Sequence, residues 1–442
     1  MPRKRRKGRI WNKLLPAAAV LLIAWSLARF SLKTEYPEYP VPARSADVVV
    51  IGAGLAGPAA AVAAAEAGAD VFYIDVSGPA DSGFPSFSPF FWAAGTTYQQ
   101  EAQIEYLPEE MAGQIMPADE EIQEMALRLC LASAESLAWL EERTATAFSR
   151  LADPQSRPGL HLPAAGRAER IVPVELQKLM GRLLAGNTRE LRPLTLVFDK
   201  GVISGLQVRD LAGNDEVIFC RAVVLADGGI GGNPALVAAR TGLLGVAARP
   251  DGGHSGVGME IAAAAGALVT GLENVRTLPV LLPGGQLFSP ALMPAARYLD
   301  SEGNAVPVID RLATAVLAAG GRLFAVSGGE EEAADPGIVR VASLEDLALG
   351  LGLPAEKLQE ALQGMEPPYR VAAVGVMAVT PGGIAVDEFF RVLSPAGPLP
   401  GLYAAGETVA GLPGIRPEEF SFAAGVISAR LAAGEAASFA RR

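Results

Sequence analysis

Histidine and cysteine are nearly missing from this chain. Its 442 residues include two histidines, His161 and His254, and two cysteines, Cys130 and Cys220. Two isolated thiols build neither a disulfide framework nor a zinc site. Two imidazoles far apart in sequence argue against a histidine-ligated metal centre or an internal haem. Catalysis must then come from a bound cofactor or from Arg, Tyr, Asp, Glu or Ser. Long hydrophobic runs are also scarce. The run from Leu14 to Ala28 is shorter than the ~20 apolar residues of a membrane span. It reaches that length only if Phe30 to Leu32 are added and Arg29 snorkels.

Acids are absent from the first 33 residues, which hold nine Lys or Arg. The remaining chain has 28 basic residues against 48 acidic ones, a formal charge of −20. So acidic a body is a poor partner for nucleic acid or for an anionic membrane surface. The basic cluster "RKRRKGRIWNK" ahead of the apolar run has the pattern of a signal peptide or a membrane anchor, with the cluster cytoplasmic and the body outside. "SLA" at 26–28 is a poor match to a cleavage site, and Arg5–Arg6 a poor match to a twin-arginine signal. Residues 1–33 are therefore expected to be a signal or anchor and 34–45 a Pro-rich linker, with the body exported or membrane-anchored.

Glycine, by contrast, is abundant, at 49 residues. "ADVVVIGAGLAGPAAAVAAAEAGADVFYID" reads as buried parallel strand, glycine turn, helix, strand and acid. Gly52, Gly54 and Gly57 have GxGxxG spacing: one for the tight turn, one for approach to a pyrophosphate, one for helix–sheet packing. With Leu55 and Ala56 they open the helix whose N-terminus favours phosphate. Asp75 is placed to bind ribose hydroxyls. A dinucleotide is expected, and this stretch alone does not separate FAD from NAD. The following segment, "SGPADSGFPSFSPFFWAAGTTYQQ", is too long for an ordinary connection and is expected to line something.

From "FWAAGTTYQQEAQIE" onward the chain resembles the fumarate reductase / succinate dehydrogenase flavoprotein superfamily, including flavocytochrome-type fumarate reductases and 3-ketosteroid dehydrogenases. "AVVLADGGIGGNPALV" is similar to that family's "ATGG" turn, with Asp227 in place of Thr. "GHSGVGMEIAAAAGALV" is similar to its "TGDG" helix start, with Val257 in place of the acid. "VTPGGIAVDEFFRVLSPAGPLPGLYAAGETVAG" is similar to its C-terminal FAD element. The resemblance implies an α/β protein: a Rossmann-like FAD-binding domain (46–240 and 376–438) with an inserted, shortened α+β cap (241–375), preceded by the N-terminal hydrophobic segment. It implies FAD, held non-covalently because no histidine falls at 82–95. It implies cofactor contacts at Ala94, Gly95, Ala226, Gly228, Gly229, Gly406, Glu407, Ser421 and Ala423. The helix from Ser421 would point its positive end at the flavin.

The same resemblance makes Arg311 a candidate proton donor and Arg416 a candidate fork for a substrate carboxylate. Two family histidines are missing: Val379 and Leu278 stand where they are expected. Glu418 and Glu419 add negative charge beside Arg416. Fumarate or succinate is therefore disfavoured. Phe84, Phe87, Phe90, Phe91 and Trp92 are candidates to line an apolar substrate site, or to be core, and Tyr369 is a candidate acid. His254 is left open between a surface, a cofactor-contacting and a catalytic role. The expected activity is FAD-dependent hydride transfer with a small organic molecule. The alternative is an FAD-binding subunit or electron relay with a degenerate substrate site, partnered by a membrane or electron-transfer protein. A colourless NAD-dependent dehydrogenase is the third reading, and "GLYAAGE" speaks against it. No nucleic-acid partner is expected.

Overall fold

The computed structural model describes residues 44–52, 54–76, 90–115, 120–153, 157–164, 168–248, 253–285, 288–308, 311–329, 337–412 and 420–442. The N-terminal segment, Phe84, Phe87, Arg416, Glu418 and Glu419 lie outside them. No helix among the described residues is long and apolar enough to cross a membrane.

The uninterrupted run VVVIG forms β1 (Val48–Gly52), buried at every residue, as expected for a strand covered on both faces. A turn leads into α1 (Ala56–Glu66), followed by β2 (Val71–Asp75). Alanine supplies most of α1, so helix propensity is high and the helix is thin enough to bury nearly all round. Phe91–Trp92 form the short β3, Ser133–Thr144 the helix α2, Arg157–Pro163 the strand β4, Thr188–Glu190 the strand β5, and Ala222–Ala226 the strand β6. Then come α3 (Val257–Ala264), β7 (Arg276–Leu281), α4 (Leu312–Ala318), β8 (Arg322–Gly328), β9 (Tyr369–Val379), β10 (Arg391–Ser394), β11 (Gly397–Ala404) and α5 (Ser421–Ala440).

The central sheet has six strands in the order β10-β11-β6-β1-β2-β5. The pairs β11–β6, β6–β1, β1–β2 and β2–β5 are parallel, and β10 is an antiparallel edge. Helices α1 and α5 pack along each other beside this sheet. The chain leaves β1 toward β2 on one side and reaches β6 on the other. The crevice beyond the carboxyl ends of β1 and β6 is thus the topological switch point at which such sheets bind ligands. A second sheet carries β7, β9 and β8 side by side, all antiparallel, and has its own apolar core under α4. The mixed α/β plan matches the sequence reading. β9 runs through residue 375, the expected end of the cap, and ends beside the turn that follows β6.

Candidate functional site

The dinucleotide turn divides its glycine roles differently from the sequence reading. The positive φ falls on Gly54, at +82°, where a side chain would be strained. Gly52 is extended strand, and it is glycine because of α1: a Cβ there would lie 2.6 Å from Gly57 Cα. The converse contact, 2.8 Å from a Cβ on Gly57 to Gly52 Cα, is equally closed. Gly52 therefore serves helix–strand packing, not turn geometry. Leu55 precedes α1 and gives it no side-chain cap. The first amides of α1, from Ala56 onward, are left for an anion. Asp75, at the end of β2, is the Cα partner of Gly52 in the sheet, and Ala226, at the end of β6, is its partner on the other side.

After Ala226 the chain enters a buried polar knot. Asp227 is fully buried, and its Oδ2 accepts from the Gly258 amide at 2.8 Å. A Cβ on Gly258 would fall 2.1 Å from Oδ1, so α3 begins in contact with this carboxylate. The sequence shows two separate departures, an acid gained at 227 and an acid lost at Val257. In the fold they meet at one place, because the acid of 227 bonds the first turn of the helix that Val257 opens. Asp227 Oδ1 has no partner among the described residues. Burial raises this carboxyl to about 6, against the opposing effects of the Gly258 amide, its own amide and nearby His254.

His254 has φ +58°, a left-handed conformation uncommon outside glycine, though histidine adopts it more readily than most residues. Its amide donates to Asp227 O at 3.1 Å, and its Nδ1 lies 2.9 Å from Glu407 Oε2. The Gly229 amide is also near Nδ1, at 3.4 Å. One nitrogen cannot donate to the carboxylate and accept from the amide at once. The shorter, charge-assisted contact sets Nδ1–H as donor to Glu407. Gly228 and Gly229 leave room for this group. A Cβ on Gly228 would lie 2.7 Å from His254 Nδ1, and one on Gly229 would lie 2.5 Å from Thr380 Oγ1. The Gly228 amide donates to Thr408 Oγ1 at 2.9 Å, and the Ile230 amide to Thr380 Oγ1 at 3.3 Å. Gly406 presses against the start of α1, where its Cβ would meet that of Ala56 at 2.7 Å, and its amide donates to Ser428 Oγ at 3.0 Å. Ser421 and Ala423 lie in the first turn of α5, which also lacks a side-chain cap.

These contacts bring the ends of β1, β2, β6 and β11 and the start of α1 to one crevice. Its donors and acceptors suit a dinucleotide: open helix amides for a pyrophosphate, and the carboxylates Asp75 and Glu407 for sugar and ribityl hydroxyls. No cluster able to hold a metal ion occurs among the described residues. His254 and its bond to Glu407 are the feature the sequence left undecided. The short sequence distance to the Ser255–Gly256 turn was visible, but the pairing with a residue of β11's far end was not.

Other candidates sit elsewhere. Ala94 is buried, with its amide donating to Ser133 Oγ at 3.0 Å, and the Gly95 amide donates to Tyr106 O at 3.2 Å. Phe91 is core: its ring meets Phe148 and Phe422 edge-on, each at 6.0 Å. Trp92 is buried with Nε1 donating to Tyr106 Oη at 3.3 Å. Of the aromatic run, only half-buried Phe90 remains, among the described residues, as a lining candidate. Tyr369 is also core. It is buried among Phe324, Leu347, Leu358 and Leu362, and its hydroxyl donates to Met365 O at 3.3 Å. Burial, then Glu366 and Glu345, raise its pKa, so it is a poor acid. Arg311 is exposed at the start of α4.

A family model described as FAD binding domain matches residues 47–419. The chain is 26% identical over 456 residues to a fumarate reductase (cytochrome) of Shewanella frigidimarina, covering 91% of this chain and 78% of that protein. It superposes on the open conformation of a flavocytochrome c3 fumarate reductase with TM-score 0.76 and 21% identity, covering 100% of this chain and 83% of the other. A 3-ketosteroid Δ4-(5α)-dehydrogenase from Rhodococcus jostii, in complex with 4-androstene-3,17-dione, gives TM-score 0.58 and 22% identity, covering 92% of this chain and 99% of the other.

Proposed function

The chain belongs to the FAD-binding-domain family and is an FAD-dependent oxidoreductase, and from that premise we propose that it exchanges a hydride with a C–C or C–O bond of a small organic molecule other than fumarate or succinate. FAD, when bound, supplies the two-electron carrier at flavin N5. The chain's own groups supply the rest. The open amides of α1 hold the pyrophosphate, Asp75 the adenosine ribose, and Glu407 a ribityl hydroxyl. The uncapped start of α5, at Ser421 and Ala423, favours negative charge on the ring. Attachment is non-covalent.

One observation carries the exclusion of dicarboxylates. The two positions where the family resemblance leads one to expect histidines hold Leu278 and Val379. Leu278 pairs with Met377 on the adjoining strand, so Leu278 and Val379 share one face of β7 and β9. Apart from the single cation Arg276 at its end, that face is apolar, so it lacks the donors of a clamp for two carboxylates. The same loss favours a second reading, an electron relay whose substrate site has degenerated. We also propose that residues 1–33 export or anchor the body. Fractionation of cells making the full chain tests this, and a body wholly in the cytosol removes it.

The purified protein is expected to be yellow, and denaturation is expected to release the flavin into the soluble fraction. Gly54→Val, which fills the approach to the pyrophosphate, is expected to yield apoprotein. Stoichiometric FAD in that variant would overturn the assignment of the turn. Arg416→Ala is expected to keep FAD and lose turnover. A yellow protein whose flavin no substrate panel bleaches supports the relay instead.

A further inference from the structure

Strands β7 and β9 have two unlike faces. On one, Thr277, Pro279 and Leu281 stand opposite Ala378, Val376 and Val374. Leu281, Val374 and Val376 of that face pack with Leu312, Ala313 and Val316 of α4, so it is closed. On the other, Arg276, Leu278 and Val280 stand opposite Val379, Met377 and Gly375. Arg276 is half-buried on this second face, and its cross-strand partner Val379 is 9% exposed. The side chain of Arg276 has no hydrogen bond or ion pair among the described residues.

The register fixes where this cation stands. Arg276–Val379 is the last rung of the ladder, its two Cα atoms about 5 Å apart. The next residue after Val379 is Thr380, which is fully buried and accepts from the Ile230 amide at 3.3 Å. Thr380 also occupies the space beside Gly229. Arg276 is thus two steps along the backbone network from the turn of the cofactor crevice. Arg276 is a half-buried residue whose guanidinium has no acceptor among the described residues, so its donors are left for an anion.

We infer that Arg276 is the substrate-recognition cation of this site, binding the carboxylate of a monocarboxylic acid whose apolar body lies against half-buried Leu278 and the edge of Val379. The inference rests on the oxidoreductase reading above and names its substrate class. A guanidinium takes a carboxylate through two parallel N–H donors, a geometry that lysine cannot reproduce. The apolar neighbours favour a chain or ring over a second carboxylate. The other anion within the crevice is the pyrophosphate of the cofactor itself, and the experiment separates the two.

The full chain, purified with its flavin, is titrated with octanoate, octan-1-ol and succinate while the visible flavin absorbance is followed. Octanoate is expected to perturb the spectrum with at least tenfold higher affinity than either of the others. Arg276→Gln is expected to lose that preference with flavin content unchanged, and Arg276→Lys to retain a part of it. Equal affinity for octanoate and octanol in the wild type overturns the proposal, as does an intact preference in Arg276→Gln. Release of flavin by Arg276→Gln also overturns it, by assigning the cation to the pyrophosphate. A wild-type protein that purifies without flavin overturns the oxidoreductase reading, and this inference with it.

Discussion

Two buried side chains give the protein opposite responses to acid. Asp227 binds its proton more tightly folded than unfolded, with a folded value of about 6 against an ordinary 3.8. Its contribution to stability is full below 3.8 and is lost as pH rises through about 6. His161 behaves in reverse. Its Nε2 lies 2.8 Å from Thr96 Oγ1 and its Nδ1 2.8 Å from Gly159 O, which fixes a neutral ring with the proton on Nδ1. Burial lowers its pKa, outweighing the carbonyls of Gly159 and Phe91. Below the ordinary 6.5 the unfolded chain takes up this proton first, so stability is lost as pH falls. The two slopes oppose each other in the wild type, and single variants expose them. Asp227→Asn keeps an acceptor for the Gly258 amide and gives the bare side of the group a neutral donor. It is expected to raise unfolding stability at pH 8 by on the order of 2 kcal/mol, with the gain vanishing below pH 4. His161→Gln is expected to remove the loss that sets in as pH falls below 6.5. Denaturant titrations from pH 8 down to below pH 4 check both, and a pH-independent gain in Asp227→Asn would show that the buried charge is not its source. Neither behaviour is legible in the sequence. An acid after a strand and a histidine in a strand carry no mark of their burial.

At the scale of elements, small residues decide how closely the parts meet. β1 and α1 touch through Gly52 and Gly57, and Tyr73 closes the third side, its hydroxyl 3.0 Å from a Cβ on Gly52 and 2.9 Å from one on Gly57. Gly52→Ala is expected to push α1 off the sheet, costing about 3 kcal/mol, with loss of FAD. Gly434, exposed within α5, has nothing within 4 Å of a Cβ. Gly434→Ala is expected to stabilise by about 1 kcal/mol through helix propensity alone. Thermal unfolding and flavin content of the two variants test the contrast, and similar behaviour would mean that the contact does not govern packing. This strand–turn–helix unit was readable from the sequence because its signals lie within 30 residues and each follows from local geometry. The second sheet is less legible in the sequence. Alternation along β9 does not reveal that both its faces are packed, so Tyr369 reads as a candidate acid although it lies among Phe324, Leu347, Leu358 and Leu362. Phe91 and Trp92 were ambiguous for the same reason: aromatic density marks a lining and a core alike. The meeting of Asp227 with Gly258 depends on how β6 and α3 are folded together, which no local pattern encodes.

For the molecule as a whole, the crevice is assembled from distant pieces of chain. β1 and α1 lie near the start of the described residues, Asp227 and His254 near the middle, Gly406, Glu407 and α5 near the end. A cofactor that binds all three cannot be retained by any one of them, and its binding energy is shared by the fold. FAD at a thousand times its dissociation constant should stabilise the native state by about 4 kcal/mol. Removing it should therefore weaken the β1–α1 unit and the α5 helix together, not the turn alone. The two tryptophans among the described residues report on this. Trp92 is packed beside Tyr106, and Trp139 of α2 donates Nε1 to Glu66 Oε2 at 2.7 Å at the end of α1. Arg430 of α5 bonds Ser136 and Glu135 of α2, which ties α2 to α5 as well. In flavin-loaded protein carrying Trp11→Phe and Trp25→Phe, fluorescence from Trp92 and Trp139, isolated by replacing one or the other with phenylalanine, should change at one common temperature. After flavin is stripped, both transitions should move down by the same amount. A Trp139 transition that stays in place while that of Trp92 moves would show that α1, α2 and α5 hold together without the cofactor, and that the cofactor stabilises only its immediate turn.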